Sequence, residues 1–317
     1  MGQRLDRTAG LSDSAGATGG TSGSPRFFRI LNRGFRRRGV GLSTLLTPPV
    51  FWMLAIYIAS LVLLVVAAFF GLDGRSQKPN TDLTTDNLQT AFTTWIFVQV
   101  VLRSVGVALA VTALCFVIAL PVAFCIAKVL PKWSRRGLVV AILLPLWAGY
   151  LVKAYAWKAM LREGSKFGVD KSGGFLQSTF GWTPGFGYLA VILSLTYLWL
   201  PYMVLPIYSG LERLPTSLLD ASGDLGARPF RTFRSVIMPM MLPSIAAGSI
   251  FTFSLSLGDY IIPAVVTERQ VQMIGNLIER TLLNPNQPLA AAFTLWPLGI
   301  IVVYLFAMRR VGAFEDV

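Results

Sequence analysis

Long apolar runs alternate with short polar connections along this chain. Six runs approach the ~20 residues that a helix needs to cross a bilayer: 48–70, 104–127, 138–160, 188–210, 243–266 and 290–308. The pattern predicts an all-α, polytopic membrane protein with six transmembrane helices. The stretch before the second run, 92–101, is apolar but contains Thr, Trp and Gln. Because Arg103 follows it, we expect 92–101 to be an amphipathic lead-in at the membrane surface rather than part of the span.

Composition supports a membrane protein. Of 317 residues, 54% are hydrophobic and 14% are charged, whereas soluble domains carry roughly a quarter charged residues. The net charge of +13 does not indicate a nucleic-acid partner, since the basic residues lie between apolar runs. The chain has no histidine, and Cys115 and Cys125 are about 15 Å apart along one helix, too far for a disulfide. The composition therefore favours neither a Cys/His metal site nor a histidine base.

Lysine and arginine set the orientation. With the N-terminus inside, the inner segments carry 18 of these residues and the outer segments 8, so both termini are predicted to be cytoplasmic. Residues 1–47 form an inner tail, in which 1–25 lack the apolar core of a signal peptide and are expected to be disordered, and 26–38 are basic. Residues 48–310 then form the six-helix membrane domain, and 311–317 a short inner tail.

The longest inner loop, 211–242, separates the fourth and fifth runs. It predicts two short helices with a break between them. Pro215 suits the first turn of one helix, Gly226 suits a left-handed stop, and Pro229 suits the start of a second helix. Small residues around the break give a surface that another protein can approach closely. The alternative is an amphipathic hairpin that lies on the membrane.

This loop resembles a known signature. D-A-S-G-D-L-G-A (220–227), followed nine residues after Gly226 by V-I-M-P (236–239), is similar to the E-A-A, G and I-x-L-P pattern of the membrane-spanning subunits of type I ABC importers. Three further blocks resemble the spermidine/putrescine permeases of that class: P-L-W-A-G-Y-L-V-K-A-Y-A-W (145–157), Y-L-W-L-P-Y-M-V-L-P-I-Y (197–208) and S-L-G-D-Y-I-I-P (256–263). M-I-G-N-L-I (273–278) is a fourth, and together the blocks cover about 100–310.

The resemblance implies an inner-membrane permease subunit that imports a polyamine. In the family the signature loop is a coupling helix that docks on a cytoplasmic ATPase, and the outer loops, here 161–187 and 267–289, receive a solute-binding protein. It also implies a second, different permease subunit and two ATPase subunits, which bind ATP and Mg²⁺. The coupling residues carried over are Asp220, Ala221, Ser222, Asp224, Leu225, Gly226, Ala227, Arg228 and Pro239.

Some positions in the loop depart from the family pattern. Asp220 replaces Glu, Ser222 replaces Ala, and Arg228 stands before Pro229 where the family often has Ser. A serine there can cap the second helix, whereas the charge of Arg228 opposes the helix dipole. We therefore hypothesise that Arg228 faces an acidic surface of the ATPase.

No G-x-x-x-x-G-K-[ST] run occurs in the sequence, so ATP hydrolysis must come from a partner. No nucleophile–base arrangement is recognisable, and no catalytic or metal-binding residue is predicted. Asp259 is the main candidate for substrate binding, because an ionisable group within a span is costly. A carboxylate with aromatic faces suits a polycation, and the candidate path residues are Asp259, Tyr260, Trp147, Tyr150, Trp199 and Tyr202.

The candidate residues and the overall pattern also fit other roles and other functions. The aromatic residues also suit packing or interfacial anchoring, and Asp259 also suits a hydrogen bond between helices. Lys153 would repel a polyamine and attract an anion, so permeases for ferric iron, sulfate or phosphonate-type anions are open. An ion-coupled secondary transporter would show internal repeats and paired carboxylates, which the sequence lacks, and a structural scaffold would not need the spacing of the signature loop.

Overall fold

The computed structural model describes residues 40–72, 79–164, 173–284 and 286–310. The predictions for 1–25, 26–38 and 311–317 lie outside these ranges. The chain divides into two compact units, 1–61 and 62–317. The described part of the first unit belongs to helix α1 (Val40–Ala67), which continues across the division and has an apolar stretch from Leu46. The last part of the predicted tail, 40–47, is therefore helical.

Helices form most of the second unit. After a hairpin of β1 (Phe70–Leu72) and β2 (Pro79–Leu83), they run in the order α2 (Asp86–Thr93), α3 (Trp95–Phe124), α4 (Lys132–Trp147), α5 (Tyr150–Leu161), α6 (Phe175–Phe180), α7 (Tyr188–Arg213), α8 (Thr216–Asp224), α9 (Pro229–Thr232), α10 (Met238–Leu257), α11 (Ile261–Val266), α12 (Ile274–Leu283) and α13 (Gln287–Arg310). Two π-helical turns, Cys125–Val129 and Phe233–Ile237, follow α3 and precede α10.

The prediction of a helical protein with several apolar spans is confirmed. Within the described residues, five helices are long and apolar enough to cross a membrane, and the number is six when the bent pair of α4 and α5 is counted as one span. The hairpin is a small addition to this all-α architecture. It is antiparallel, pairs Phe70 with Leu83 and Leu72 with Pro79, and is held to α2 by the Asn87 side chain, whose Nδ2 donates to the Phe70 carbonyl over 2.8 Å.

The second span begins earlier than predicted. The lead-in expected at 92–101 is wrong, because α3 runs without a break from Trp95. The amphipathic element lies just before it, as α2. Thr94, with φ −72° and ψ 112°, is extended and separates the two helices. The segment predicted to be interfacial, 92–101, is therefore divided between the end of α2, the extended Thr94 and the start of α3.

Two predicted spans are interrupted. Residues 138–160 were predicted as one helix, but Trp133–Trp147 and Tyr150–Leu161 meet at 91°. Helix α4 continues two residues past Pro145 and ends where the backbone of Ala148 and Gly149 is extended. Residues 243–266 are similarly divided, since α10 ends at Leu257 and α11 begins at Ile261.

The core of the second unit lies where α3, α7 and α10 pack together. A close approach of α7 and α10 depends on Gly248, where an added Cβ would lie 2.8 Å from the Met203 sulfur and 3.3 Å from its Cα. Several buried hydroxyls in these helices are satisfied within their own helix, whereas those of Ser194 and Ser256 have no hydrogen-bond partner among the described residues. Ser104 and Thr112 of α3 and Thr252 of α10 donate to carbonyls four residues back, which avoids the cost of an unpaired polar group in an apolar environment.

Candidate functional site

The predicted coupling segment is a short helix with a sharp stop. Helix α8 ends at Asp224, and Gly226 follows with φ +72°. The Ala227 N–H donates to the Ser222 carbonyl over 3.1 Å, and the Gly226 N–H donates to the Gly223 carbonyl over 2.8 Å. Glycine tolerates the left-handed conformation that these bonds require. The predicted stop at Gly226 is therefore observed.

The second helix of the predicted loop is not a separate element. Pro229 begins it, as predicted, but the helix continues through the π turn into α10 as one apolar stretch, Pro229–Leu257. The two-helix loop is thus α8 followed by the first turns of the fifth span. Pro239 and Pro243 both fall within this stretch without ending it, and the π turn Phe233–Ile237 lies just before Pro239.

Most of the proposed coupling residues are exposed. Asp220, Ala221, Asp224, Gly226, Arg228 and Pro239 are on the surface, and Leu225 is 89% exposed. Ser222 differs, since it is buried and its hydroxyl lies 2.8 Å from that of Thr232. Ala227 is half-buried.

Arg228 stands at the N-cap of α9. Its backbone is extended, with φ −66° and ψ 151°, and its side chain makes no capping hydrogen bond. The carbonyl of Arg228 instead accepts the N–H groups of Arg231 and Thr232, at 2.8 and 3.1 Å. The guanidinium is free of the helix end and points to the surface, so its charge is available to a partner.

The second group of candidates surrounds the two helix breaks. Asp259 lies in the break between α10 and α11 and is buried, with 7% exposure. Its Oδ1 accepts the N–H groups of Ile261 and Ile262, at 2.9 and 3.0 Å, and so caps α11. Its Oδ2 accepts a hydrogen bond from the Tyr150 phenol. Since Tyr150 is the first residue of α5, this bond joins the two breaks.

Aromatic side chains extend from this pair. The ring of Trp199 lies 6.0 Å from that of Tyr150 and 5.7 Å from that of Tyr202. A cavity of about 310 Å³ is lined by Tyr150, Trp199, Ser254, Leu255, Gly258, Asp259, Tyr260 and Ile261. The cavity therefore combines one carboxylate with aromatic and apolar walls.

The structure brings together five of the six predicted path residues. Asp259, Tyr260, Tyr150 and Trp199 line the cavity, and Tyr202 packs against Trp199. Trp147 does not join them: it is the last residue of α4 and 91% exposed. The 91° break after Trp147 explains this difference, because a continuous helix would have kept Trp147 near Tyr150. Lys153 lies close by, with its Nζ 5.9 Å from the Tyr150 ring centroid.

Helix α12 supports the break, and sequence reasoning did not single out these residues. Asn276 Nδ2 donates to the Tyr260 carbonyl over 2.6 Å. The Ile274 N–H donates to the Ser104 hydroxyl of α3 over 2.8 Å. At Gly275 an added Cβ would lie 2.9 Å from the Asp259 carbonyl oxygen. The block M-I-G-N-L-I (273–278) carried a signal for this contact, because its glycine permits a close approach of two backbones and its asparagine amide can bond to a backbone carbonyl.

These features define a class of protein. Interrupted apolar spans surround a cavity with one buried carboxylate, and an exposed helix lies between the fourth and fifth spans, as in a multi-pass membrane permease. Residues 116–312 match the family model described as the binding-protein-dependent transport system inner membrane component, and the chain belongs to that family. It is a multi-pass protein of the inner membrane and a transport subunit of an ABC importer.

Relatives and solved structures agree with this family. The chain is 40% identical to the inner membrane ABC transporter permease protein YdcU of Escherichia coli K12, over 87% of this chain and 91% of that protein. It is 29% identical to the spermidine/putrescine transport system permease protein PotB of Haemophilus influenzae, over 82% of this chain and 90% of that protein. A bacterial alginate ABC transporter, solved in complex with its alginate pentasaccharide-bound periplasmic protein, shares the fold with a TM-score of 0.66 at 17% identity, over 92% of this chain and 99% of that chain.

Proposed function

We propose that this permease imports a polyamine of the spermidine/putrescine class. The observation that carries the proposal is the placement of Asp259 in a cavity whose walls include Tyr150, Trp199 and Tyr260. A polyamine carries several ammonium groups along an apolar chain. The carboxylate supplies an ion pair, the rings supply cation–π attraction, and the apolar wall accommodates the methylene groups. The resemblance to PotB supports the same substrate class.

Import would proceed by alternating access driven by ATP. The chain has no phosphate-binding loop in its sequence, so two cytoplasmic ATPase subunits would bind ATP and Mg²⁺ and carry out hydrolysis. The exposed residues of α8 and the following turn would dock on one of them. A second, different permease subunit would complete the membrane pathway, and a solute-binding protein would deliver the polyamine from outside.

The hydrogen bonds that the Asp259 carboxylate accepts suit a site that binds its solute transiently. Asp259 is held by two backbone N–H groups and one phenol, and no basic side chain among the described residues forms an ion pair with it. An ammonium group that replaces the phenol would gain a charge-assisted bond, while the backbone bonds keep the carboxylate in place. Weak, replaceable binding is what a transport pathway requires, since the solute must also leave.

An anion is a second candidate substrate, and Lys153 is the observation that favours it. Its Nζ lies 5.9 Å from the ring centroid of Tyr150, which lines the cavity, so its charge would attract an anionic solute and repel a polyamine. The name of YdcU states no substrate.

The test is ATPase stimulation of the reconstituted complex by its solute-binding protein. The binding protein would be loaded in turn with putrescine, spermidine, sulfate, phosphonate or ferric iron. The proposal expects stimulation by putrescine or spermidine and background rates with the other solutes. Stimulation by an anion or by ferric iron alone would replace the polyamine assignment, and uptake that is driven by an ion gradient without ATP would overturn the importer mechanism.

A further inference from the structure

Helix α8 is attached to the membrane spans at both of its ends. One attachment lies just before its first residue, Thr216, and the other lies on its last turn, at Ser222. Each attachment uses a side chain in or beside a π turn, and the two π turns lie at the ends of two different spans.

The first attachment comes from Lys128. This residue lies in the π turn Cys125–Val129, which follows α3. Its Nζ donates to the Leu214 carbonyl over 2.8 Å. Leu214 is extended, with φ −72° and ψ 118°, and only 5% exposed. Because α7 has already ended, no helical N–H among the described residues bonds to the Leu214 carbonyl, and Lys128 supplies the donor instead. The lysine therefore ties the inner end of α3 to the two-residue link between α7 and α8.

A second contact reinforces this position. Arg135 of α4 pairs with Glu212 of the last turn of α7, at 3.7 Å. The half-exposed ion pair adds little free energy by itself. It does place the connection between α3 and α4 against the end of α7, so that the Lys128 contact is part of a broader junction.

The second attachment is the pair of Ser222 and Thr232. Their hydroxyls lie 2.8 Å apart, although the left-handed turn at Gly226 separates them along the chain. Thr232 is the last residue of α9 and is followed directly by the π turn Phe233–Ile237. The hydroxyl pair therefore fixes the angle between α8 and the helix that becomes the fifth span.

Both π turns close an i to i+5 hydrogen bond. The Leu130 N–H donates to the Cys125 carbonyl over 3.0 Å, and the Met238 N–H donates to the Phe233 carbonyl. Such turns are rare and are often found at functional positions, because they insert an extra residue and locally weaken the helix. Each attachment of α8 thus meets a span in or beside a π turn.

We propose that Lys128 and the Ser222–Thr232 pair are positioning residues that convert a displacement of α8 into movement of two spans, α3 through Lys128 and α10 through Thr232. The proposal rests on the proposed docking of α8 on an ATPase and adds how its motion enters the membrane domain. The exposed residues of α8 make the contact, and these two attachments carry the displacement onward. Neither attachment is needed for docking itself.

The test uses the full importer complex in proteoliposomes, in which solute uptake and ATP hydrolysis are measured together. Ser222→Ala and Thr232→Val each remove one hydroxyl, and the double variant removes both. Lys128→Met removes the donor but keeps the length of the side chain, and Lys128→Arg keeps a donor. The matched controls are Ser217→Ala, which removes an exposed hydroxyl from the same helix, and Arg136→Met, which removes an exposed cation near Arg135.

We expect Ser222→Ala and Lys128→Met to lower the uptake per ATP hydrolysed by about fivefold, the effect of one lost hydrogen bond. The Ser222→Ala/Thr232→Val double variant should lose no more than either single variant, Lys128→Arg should recover most of the ratio, and the controls should match the wild type. An unchanged ratio in Ser222→Ala and Lys128→Met complexes that assemble in normal yield would overturn the proposal. So would equal losses in the controls.

A separate variant distinguishes this failure from failure of the docking assignment. Leu225→Glu places a charge on the 89% exposed leucine of the turn and leaves both attachments in place. If Leu225→Glu abolishes co-purification of the ATPase while Ser222→Ala and Lys128→Met transport normally, docking stands and only the attachment proposal is wrong. If Leu225→Glu, Ser222→Ala and Lys128→Met all retain the ATPase and normal coupling, the docking of α8 is wrong as well.

Discussion

The phenol of Tyr150, at the start of α5, donates a hydrogen bond to the buried carboxylate of Asp259, in the break before α11. The two residues are 109 positions apart along the chain, and each belongs to an interrupted span. The same carboxylate caps α11. The Asp259 side chain therefore connects the two helix breaks to the wall of the cavity. A ligand that binds the carboxylate acts on both breaks.

The link between these residues is testable with a double-mutant cycle. Tyr150→Phe keeps the ring against Trp199 but removes the hydrogen bond, and Asp259→Asn keeps an acceptor for the α11 backbone. If the pair acts as a unit, the double variant should lose about 1–3 kcal/mol less than the sum of the single variants. The measurement is thermal unfolding of the purified complex. Strict additivity would show that the two residues contribute independently.

Substrate binding gives a second prediction for Asp259. Asp259→Asn removes the charge while retaining the shape, so polyamine uptake should fall by about 10- to 100-fold, the range expected for a lost charge-assisted bond of 1.5–3 kcal/mol. Uptake of labelled spermidine into proteoliposomes measures it. Asp86→Asn, which changes an exposed carboxylate of α2, serves as the control. Unchanged uptake by Asp259→Asn would contradict a role of this carboxylate in the pathway.

Asp259 and most of the aromatic residues around it could be predicted from the sequence, but the two helix breaks and the support from α12 could not. A lone carboxylate in an apolar run is recognisable from its cost, and the stop at Gly226 follows from local conformational preference. Residues 138–160 and 243–266 were predicted as continuous spans, because proline and glycine in a membrane span predict a bend without its size. Whether Pro145 bends a helix or ends it depends on which neighbouring groups satisfy the freed backbone, and those contacts are tertiary.

The other differences between the predicted and the observed structure also arise from tertiary contacts or from local ambiguity in the sequence. The boundary between α2 and α3 falls at Thr94, within a run whose average character suits either a span or an interface. Asn276 and Ser104 matter through single hydrogen bonds to distant backbone groups. Lys128 counted only as one of the inner basic residues, and its bond to Leu214 could not be inferred from spacing. Long-range polar contacts of this kind leave no periodic pattern in the sequence.

Gly275 provides a test of the packing behind the site. In Gly275→Ala the new Cβ would meet the Asp259 carbonyl oxygen at 2.9 Å and that of Gly258 at 3.0 Å. Because both contacts are with backbone atoms, the break must move, and we expect a loss of about 1–3 kcal/mol in stability together with reduced uptake. Thermal unfolding of the complex measures the first effect. Gly299→Ala is the matched control, since its Cβ would meet no atom within 4 Å; equal behaviour of both variants would mean that the site tolerates the shift.

Arg228 separates helix stability from partner binding. Arg228→Ser should cap the helix that begins at Pro229, and it also removes a positive charge from the positive end of the helix dipole. Together these changes should stabilise the isolated permease by about 1 kcal/mol. If Arg228 faces an acidic surface of the ATPase, the same variant should bind the ATPase several-fold more weakly and with a smaller dependence on salt. Thermal unfolding and binding of the purified ATPase at two salt concentrations measure the two effects.

Two further variants at this position isolate the cause. Arg228→Ala removes the charge without providing a cap, so its ATPase affinity should match that of Arg228→Ser while the gain in stability is lost. Arg228→Lys keeps the charge and should retain most of the affinity, unless the acidic partner is bound through the two-pronged geometry of a guanidinium. Normal ATPase binding and transport by Arg228→Ser would mean that the arginine faces no acidic surface. The helix would then lack a cap at this position without any gain in ATPase binding.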